Sequence, residues 1–371
     1  MDEFNYQFEN RKQDHLQWSL SSHAQSESFR EFDQIQLIPE ALPEMNLAEV
    51  TTRTSFLGRE LSMPIFISSM TAGHADSFAI NRELALLSQR RQIMMGVGSQ
   101  RRELKDAEAG KEWKEIRKLA PQALLMGNLG LSQVIETSIT EVRRLVENLE
   151  AQALFIHLNS LQECLQKEGT PNFRGGWLAL ERLCSQIGVP VIVKEVGCGI
   201  SPQTSRRLSE AGVFAIDISG AGGTHWGRVE TLRYDEDEIG KEIGESFADW
   251  GLSTVDSLLS AKEVNVSCQI WASGGVRNGL EAMKLMSLGA EFVGMARPWL
   301  LAMSETDDQM KFKMSADDKC ADNLDRLAIR FQRELQIALF CTGCASVNEL
   351  KRKKVWKWKN LSRKLSKDSR G

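Results

Sequence analysis

The feature that most constrains this chain is an eightfold alternation of short apolar runs with longer segments of mixed polarity, between Pro64 and Pro298. The runs fall at 64–68, 93–97, 123–126, 153–157, 191–194, 214–218, 269–272 and 292–295. Several are continuously apolar and rich in β-branched residues, as expected for parallel strands covered on both faces. Segments such as 81–91, 140–150, 175–186 and 279–288 have helical length and mixed polarity. Strand followed by helix, eight times over, predicts an α/β chain, and the count of eight favours a closed (β/α)8 barrel, the TIM-barrel architecture. A doubly wound sheet would carry Gly-x-Gly-x-x-Gly after its first strand. Here that strand runs into Ser69-Met-Thr-Ala-Gly73, which is a different turn.

The organisation that follows is an N-terminal cap over 1–60, a barrel over 61–345 with a closing amphipathic helix at 323–340, and a basic tail over 346–371. Residues 226–262 form a long excursion after the sixth strand, placed to act as a lid. The 371 residues carry a net charge of -4, too small to predict a nucleic-acid partner. No apolar run approaches the roughly 20 residues of a membrane helix. The first ten residues are polar and acidic, unlike a signal peptide, so a cytoplasmic location is expected. Seven cysteines, odd in number and scattered, suit reduced thiols. Cys341 and Cys344 have C-x-x-C spacing without the further ligands that a zinc site needs. The tail from Lys351 to Arg370 interleaves Trp356 and Trp358 with many basic residues. A solvated or partly ordered tail is the simpler reading of it, and an anionic membrane surface the alternative.

Barrel active sites gather at the C-terminal ends of the strands, so the residues just beyond each run matter most. They are polar at all eight: Ser68 to Thr71, Gly98-Ser-Gln-Arg101, Asn128, His157-Leu-Asn159, Lys194, Ser219-Gly-Ala-Gly-Gly-Thr224, Ser273-Gly-Gly-Val-Arg277 and Ala296-Arg297. Caps or turns explain one or two such ends, whereas eight in phase point to a ligand-binding face. Glycine-rich loops after the seventh and eighth strands let backbone N–H groups approach a phosphate, and a mononucleotide such as FMN suits that position. Lys194, ending a buried strand, needs an anion, either the N1/O2 edge of a flavin or the carboxylate of Glu195. His157 and Asn159 share one face of their strand. Gln162 and Glu163 follow in the next loop, where Glu163 with Asn159 suits an octahedral Mg²⁺ that also takes diphosphate oxygens. Arg11, Lys12, Ser99, Gln100 and Arg101 suit an anionic substrate.

Taken together, Arg11-Lys-Gln-Asp-His15, Ser69-Met-Thr71, Gly98-Ser-Gln-Arg101, His157-Leu-Asn-Ser-Leu-Gln-Glu163, Ser219-Gly-Ala-Gly-Gly-Thr224 and Ser273-Gly-Gly-Val-Arg277 resemble the type 2 isopentenyl-diphosphate isomerases, over roughly residues 8–345. The resemblance implies interconversion of isopentenyl and dimethylallyl diphosphate by a 1,3-allylic proton shift, with FMN, Mg²⁺ and an NADPH that only reduces the flavin. It implies FMN contacts from Ser69, Met70, Thr71, Ser99, Asn128, Lys194, Ser219, Thr224, Gly275, Arg277, Ala296 and Arg297. Substrate contacts fall to Arg11, Lys12, Ser99, Gln100, Arg101, Gln162 and Trp226, with His157, Asn159 and Gln162 at the chemistry, Glu163 on the metal, and a homo-oligomer as the assembly. His225 stands where a smaller polar residue is usual, which leaves specificity open. Two FMN barrels of other chemistry fit less well. A 2-hydroxy-acid oxidase needs His-Gly-Gly-Arg, which is missing here, and a purine-nucleotide dehydrogenase needs a cysteine within 219–224, which has none. A non-catalytic flavin- or membrane-binding protein remains the reading from a different class.

Overall fold

The structure, a computed structural model, describes residues 14–26, 31–70, 72, 76–106, 108–236, 238–306, 312–315 and 317–359. All eight expected strands form: β1 (Ile65–Ile67), β2 (Met94–Gly96), β3 (Leu124–Gly130), β4 (Ala153–Leu158), β5 (Val191–Glu195), β6 (Ala215–Asp217), β7 (Gln269–Trp271) and β8 (Val293–Met295). They pair in parallel in one eight-stranded sheet, each beside its neighbours in sequence, with β8 returning to β1. The ring closes where Ala272, just past β7, bridges to Val293. There the Ala272 N–H donates to the Phe292 carbonyl at 3.0 Å and the Gly294 N–H to the Ala272 carbonyl at 2.8 Å.

Each strand serves two cores at once, because successive side chains point to opposite faces. In β4, Ala153 and Phe155 join the packed barrel interior, while Leu154 and Ile156 meet the outer helices. In β5, Ile192 points in and Val191 and Val193 point out. Phe66, Phe155, Trp271 and Phe292 fill the interior, with ring centroids 4.9–6.1 Å apart. The same alternation continues upward. Ser68, Asn128, His157, Lys194, Asp217 and Ser273 all lie an even number of residues beyond an inward apolar side chain, so a polar layer sits directly on the apolar plug.

The expected cap over 1–60 is three separate pieces in its described part. Residues 14–26 lie against the loop after β6: the Ser26 N–H donates to the Gly223 carbonyl at 2.7 Å, and the His225 N–H to the Ala24 carbonyl at 2.8 Å. Residues 31–37 run down the flank. A hairpin, Thr54–Phe56 with Arg59–Leu61, turns through Leu57 (φ 49°) and Gly58 (φ 77°) and plugs the lower end of the barrel with Phe56 and Leu61.

The basic tail is built in as far as Lys359. Helix Val347–Arg352 is followed by Trp356–Trp358, which pairs antiparallel with Ile35–Leu37. The closing helix runs longer than expected, Asp317–Cys341. The excursion holds three helices, Trp226–Thr231, Ile239–Ser246 and Thr254–Glu263. Cys341 and Cys344 are free thiols. Among the described residues no helix is long and apolar enough to cross a membrane.

Trp271 is fully buried at the centre of the aromatic plug. Trp271→Ala therefore leaves a large cavity, and we expect a loss of about 3–5 kcal/mol in unfolding free energy, read as a fall in denaturation midpoint.

Candidate active site

One cavity of about 680 Å³ opens at the C-terminal ends of the strands. Its floor is the polar layer: Ser68, Asn128, His157, Lys194 and Ser273 all line it. Ser69, Met70 and Ser99 line the side of β1 and β2, and Ser219 and Thr224 the loop after β6. Gly275, Arg277, Ala296 and Arg297 form the far wall, and Gln162 and Trp226 the rim. The cavity thus gathers most of the residues singled out in the sequence. Arg11, Lys12 and Thr71 lie outside the described residues.

The far wall has the geometry of an anion grip. Gly274 (φ 100°) and Gly275 (φ 76°) adopt conformations closed to other residues, and a Cβ on either would collide with the carbonyl of Gly220 or Gly222. This lets the loop after β7 pack directly on the loop after β6. The Nε atoms of Arg277 and Arg297, and the hydroxyls of Ser68 and Ser69, are buried without a hydrogen-bond partner. Burial, then the nearby Arg277, lowers the pKa of Arg297. Arg277 Nε lies 3.6 Å from the Glu281 carboxylate and one terminal nitrogen of Arg297 donates to the Leu20 carbonyl at 2.9 Å, and the donors left over on two guanidinium groups lining one cavity suit an anion such as a phosphate.

Lys194 is buried, and its Nζ donates to the Glu195 carbonyl at 2.6 Å. The direct contact with Glu195 is thus through its carbonyl, and the carboxylate acts on Lys194 by charge alone. The Glu195 carboxylate instead accepts the backbone N–H groups of Val196 and Gly197 at 2.6 Å each, and that of Cys198 at 2.5 Å. Burial carries its pKa up to about 7 against the pull of those donors. Lys194 thus remains turned toward the cavity.

At the rim, His157 Nδ1 lies 2.9 Å from Asn128 Oδ1. Gln162 donates from Nε2 to Glu230 at 2.9 Å, while its Oε1 accepts from Asn159 at 3.2 Å. Glu230 also meets His15 Nε2 at 2.8 Å and Arg233 at 2.8 Å. Burial alone would raise the Glu230 pKa. The charge and hydrogen bond of His15, with Gln162 and Arg233, outweigh burial and hold it at about 2. Glu230 and Arg233 were not singled out in the sequence, since an acid inside a helix carries no local signal. Only folding brings His15 of the cap beside them.

Three sequence expectations take a different form. Gln100, expected at the substrate, begins the 3-10 turn Gln100–Leu104 and faces the barrel wall. Its side chain donates to the Leu145 carbonyl at 3.0 Å and accepts from the Asn128 N–H at 3.2 Å. Arg101 follows on the same turn, half-buried and outside the cavity wall. His225 is fully buried beneath the excursion. Its Nδ1 caps helix Trp226–Thr231 by accepting from the Arg228 N–H, and its Nε2 bonds the Trp250 carbonyl at 2.9 Å. It caps that helix and does not line the cavity.

Glu163 and Asn159 are buried just behind the rim. Glu163 accepts from Asn159 Nδ2 at 3.0 Å and from the Thr170 N–H at 2.7 Å, while Asn159 Oδ1 is left without a partner. Among the described residues no group of three or more His, Cys, Asp or Glu side chains could hold a metal by itself.

Fold and cavity together define a (β/α)8 barrel with a polar, arginine-walled cavity at the C-terminal ends of its strands. A family profile for FMN-dependent dehydrogenases matches residues 17–126 and 131–357. A protein of Bdellovibrio bacteriovorus named isopentenyl-diphosphate delta-isomerase is 50% identical over 359 residues, covering 96% of this chain and 99% of that one. Proteins of the same name from Legionella pneumophila (strain Lens) and Archaeoglobus fulgidus are 44% and 38% identical, covering 94% and 93% of this chain and 97% and 95% of theirs. Among solved structures, a lactate oxidase of Pediococcus acidilactici superposes with a TM-score of 0.64 at 16% identity, covering 95% of this chain and 94% of its own. That likeness is one of fold. The chain belongs to the FMN-dependent dehydrogenase family and, within it, to the isopentenyl-diphosphate delta-isomerases.

Two predictions follow from this geometry. Gln100→Ala leaves the buried Asn128 N–H without its acceptor, so it should cost about 1–3 kcal/mol of stability, a loss that removing a mere substrate contact would not cause. Thermal melting checks this. Glu230 has a folded pKa of about 2 against an ordinary value of 4.5, so its stabilisation is complete above that value and is lost as pH falls toward 2. His15 packs edge-on against Trp226, with ring centroids 5.2 Å apart. An acid titration should therefore show a tryptophan fluorescence change in that window, absent in Glu230→Gln.

Proposed function

We propose that the protein interconverts isopentenyl diphosphate and dimethylallyl diphosphate by a 1,3-allylic proton shift, with FMN, Mg²⁺ and NADPH as its cofactors. The observation that carries this reading is a cavity whose wall holds an arginine-lined anion grip, whose floor holds Lys194 and His157, and whose rim holds Gln162 and Trp226. The orphaned Ser68, Ser69, Arg277 and Arg297 donors fit an FMN ring edge and phosphate. When bound and reduced, FMN supplies an electron-rich ring face for acid–base chemistry without net redox change, and NADPH is the reductant.

The chain's residues do the rest. A proton is added at the terminal alkene carbon and another is removed two carbons away, so the substrate must be held still while charge develops. Remote binding of the diphosphate gives that hold, from Arg11, Lys12, Arg101 and Mg²⁺. The unpartnered Asn159 Oδ1 beside the Glu163 carboxylate fits Mg²⁺, which is commonly held by one or two protein carboxylates together with substrate phosphates. Gln162 is too weak an acid to be the proton source. Pinned between Asn159 and an ionised Glu230, it orients the reacting group. Asn128 orients the His157 ring. Trp226 borders the hydrocarbon. A cytoplasmic homo-oligomer completes the reading.

The test is anaerobic incubation of the FMN-loaded protein with NADPH, Mg²⁺ and isopentenyl diphosphate. Dimethylallyl diphosphate should appear only with reduced flavin, and a reducible flavin without isomerisation would send the reading to another substrate. Glu163→Gln should lower activity roughly tenfold or more and weaken its Mg²⁺ dependence while FMN stays bound. Loss of flavin in that variant would overturn the metal role.

A further inference from the structure

The polar layer contains one carboxylate that touches no cavity space. Asp217 ends β6, is fully buried, and is absent from the cavity wall. By strand alternation it points inward above Ala215, in register with Lys194 on β5, which in turn is in register with His157 on β4. Its two carboxylate oxygens lie 2.8 and 2.9 Å from Ser273 Oγ, which donates to them from β7's end. Two residues on, the backbone N–H of Ser219 is among the influences that hold the Asp217 pKa down against burial. Ser219 has φ 33°, a left-handed conformation unusual for a residue with a side chain. An acceptor two residues back stabilises that turn.

Ser273, which bonds Asp217, Lys194, its register neighbour on β5, and Ser219, two residues on, all line the cavity, although Asp217 does not. The charges around Lys194 are few. Glu195 spends its carboxylate on three backbone N–H groups, and His157 turns Nδ1 to Asn128. That leaves Asp217 as the facing counter-charge on the neighbouring strand. Burial lowers the pKa of Lys194 and raises that of Asp217, and each group is the leading charge opposing burial at the other, with Asp217 ahead of Glu195 at Lys194.

We propose that Asp217 is the positioning residue of the flavin floor: it keeps Lys194 a charged, cavity-facing ammonium and fixes Ser219 and Ser273 on either side of it. The inference rests on the FMN reading above and extends it to a residue that never meets the cofactor.

The experiment measures FMN affinity by flavin fluorescence between pH 6 and 9 for wild type, Asp217→Asn, Lys194→Met and the double variant, with thermal melting as a control. Asp217→Asn should bind FMN about tenfold more weakly at neutral pH, and weaker still as pH rises and the unpaired lysine loses its proton, whereas wild type stays flat. The double variant should be no weaker than Lys194→Met, because the two side chains act as one unit. Effects that multiply, or an Asp217→Asn variant with a flat profile at wild-type affinity, would overturn the proposal. Should Asp217→Asn not fold, Ser273→Ala carries the same test in weaker form: it loosens the carboxylate and should give a smaller loss with the same pH trend, and no trend refutes the proposal. Wild-type protein that binds no FMN at all would instead sink the flavin reading, and this inference with it.

Discussion

The structure depends on one constraint, the two-residue alternation of β-strands confined between two apolar cores. Because Phe155, Ile192 and Ala215 must point into the barrel and Ile156, Val193 and Ile216 out of it, the next residue of each strand has no choice of direction. His157, Lys194 and Asp217 are thereby aimed at the axis in one layer, in register across three strands. A slip of one residue in any strand would send its charge into the outer helical core, where desolvation with no partner is prohibitive. Packing energy in the lower barrel is thus what places the chemistry in the upper barrel.

Glycine plays the complementary part. Gly96 and Gly294 belong to the same inward rows, and a Cβ at either would strike Ser69 or Ser68 and the rings of Phe155 or Phe66. Their absent side chains leave the space that the serine hydroxyls face. At the other wall, Gly274 and Gly275 bring one backbone against another, so that the arginine side chains, and not bulk, define what enters.

Much of this was legible in the sequence because it is local. Buried parallel strands read as apolar runs, their ends read as polar residues in phase, and the Gly-Gly loop declares its backbone. What stayed hidden depends on contacts across the chain. Gln100 looks like a continuation of β2, but the backbone turns into a 3-10 helix there and takes the side chain to Leu145. His225 sits in the same glycine-rich loop as Thr224, yet as a helix N-cap its ring points under the loop. Glu230 acquires its role from His15, more than two hundred residues earlier. The Trp-Lys tail looked solvated because nothing in residues 346–371 shows that Ile35–Leu37 awaits it.

That last pairing bears on how the protein is made. The strand Ile35–Leu37 lies just after the cap segment that roofs the cavity, and its partner Trp356–Trp358 comes only after the whole barrel in the chain. A contact spanning more than three hundred residues has a high loop-closure cost and forms late. On the ribosome the barrel strands emerge in order and can pair as they come, but the early segment on the flank has nothing to zip against until the chain beyond the barrel has been made. The roof over the active site is therefore anchored on its flank only after the barrel beneath it is complete, so a truncated translation product would carry the catalytic floor without a fully tethered lid.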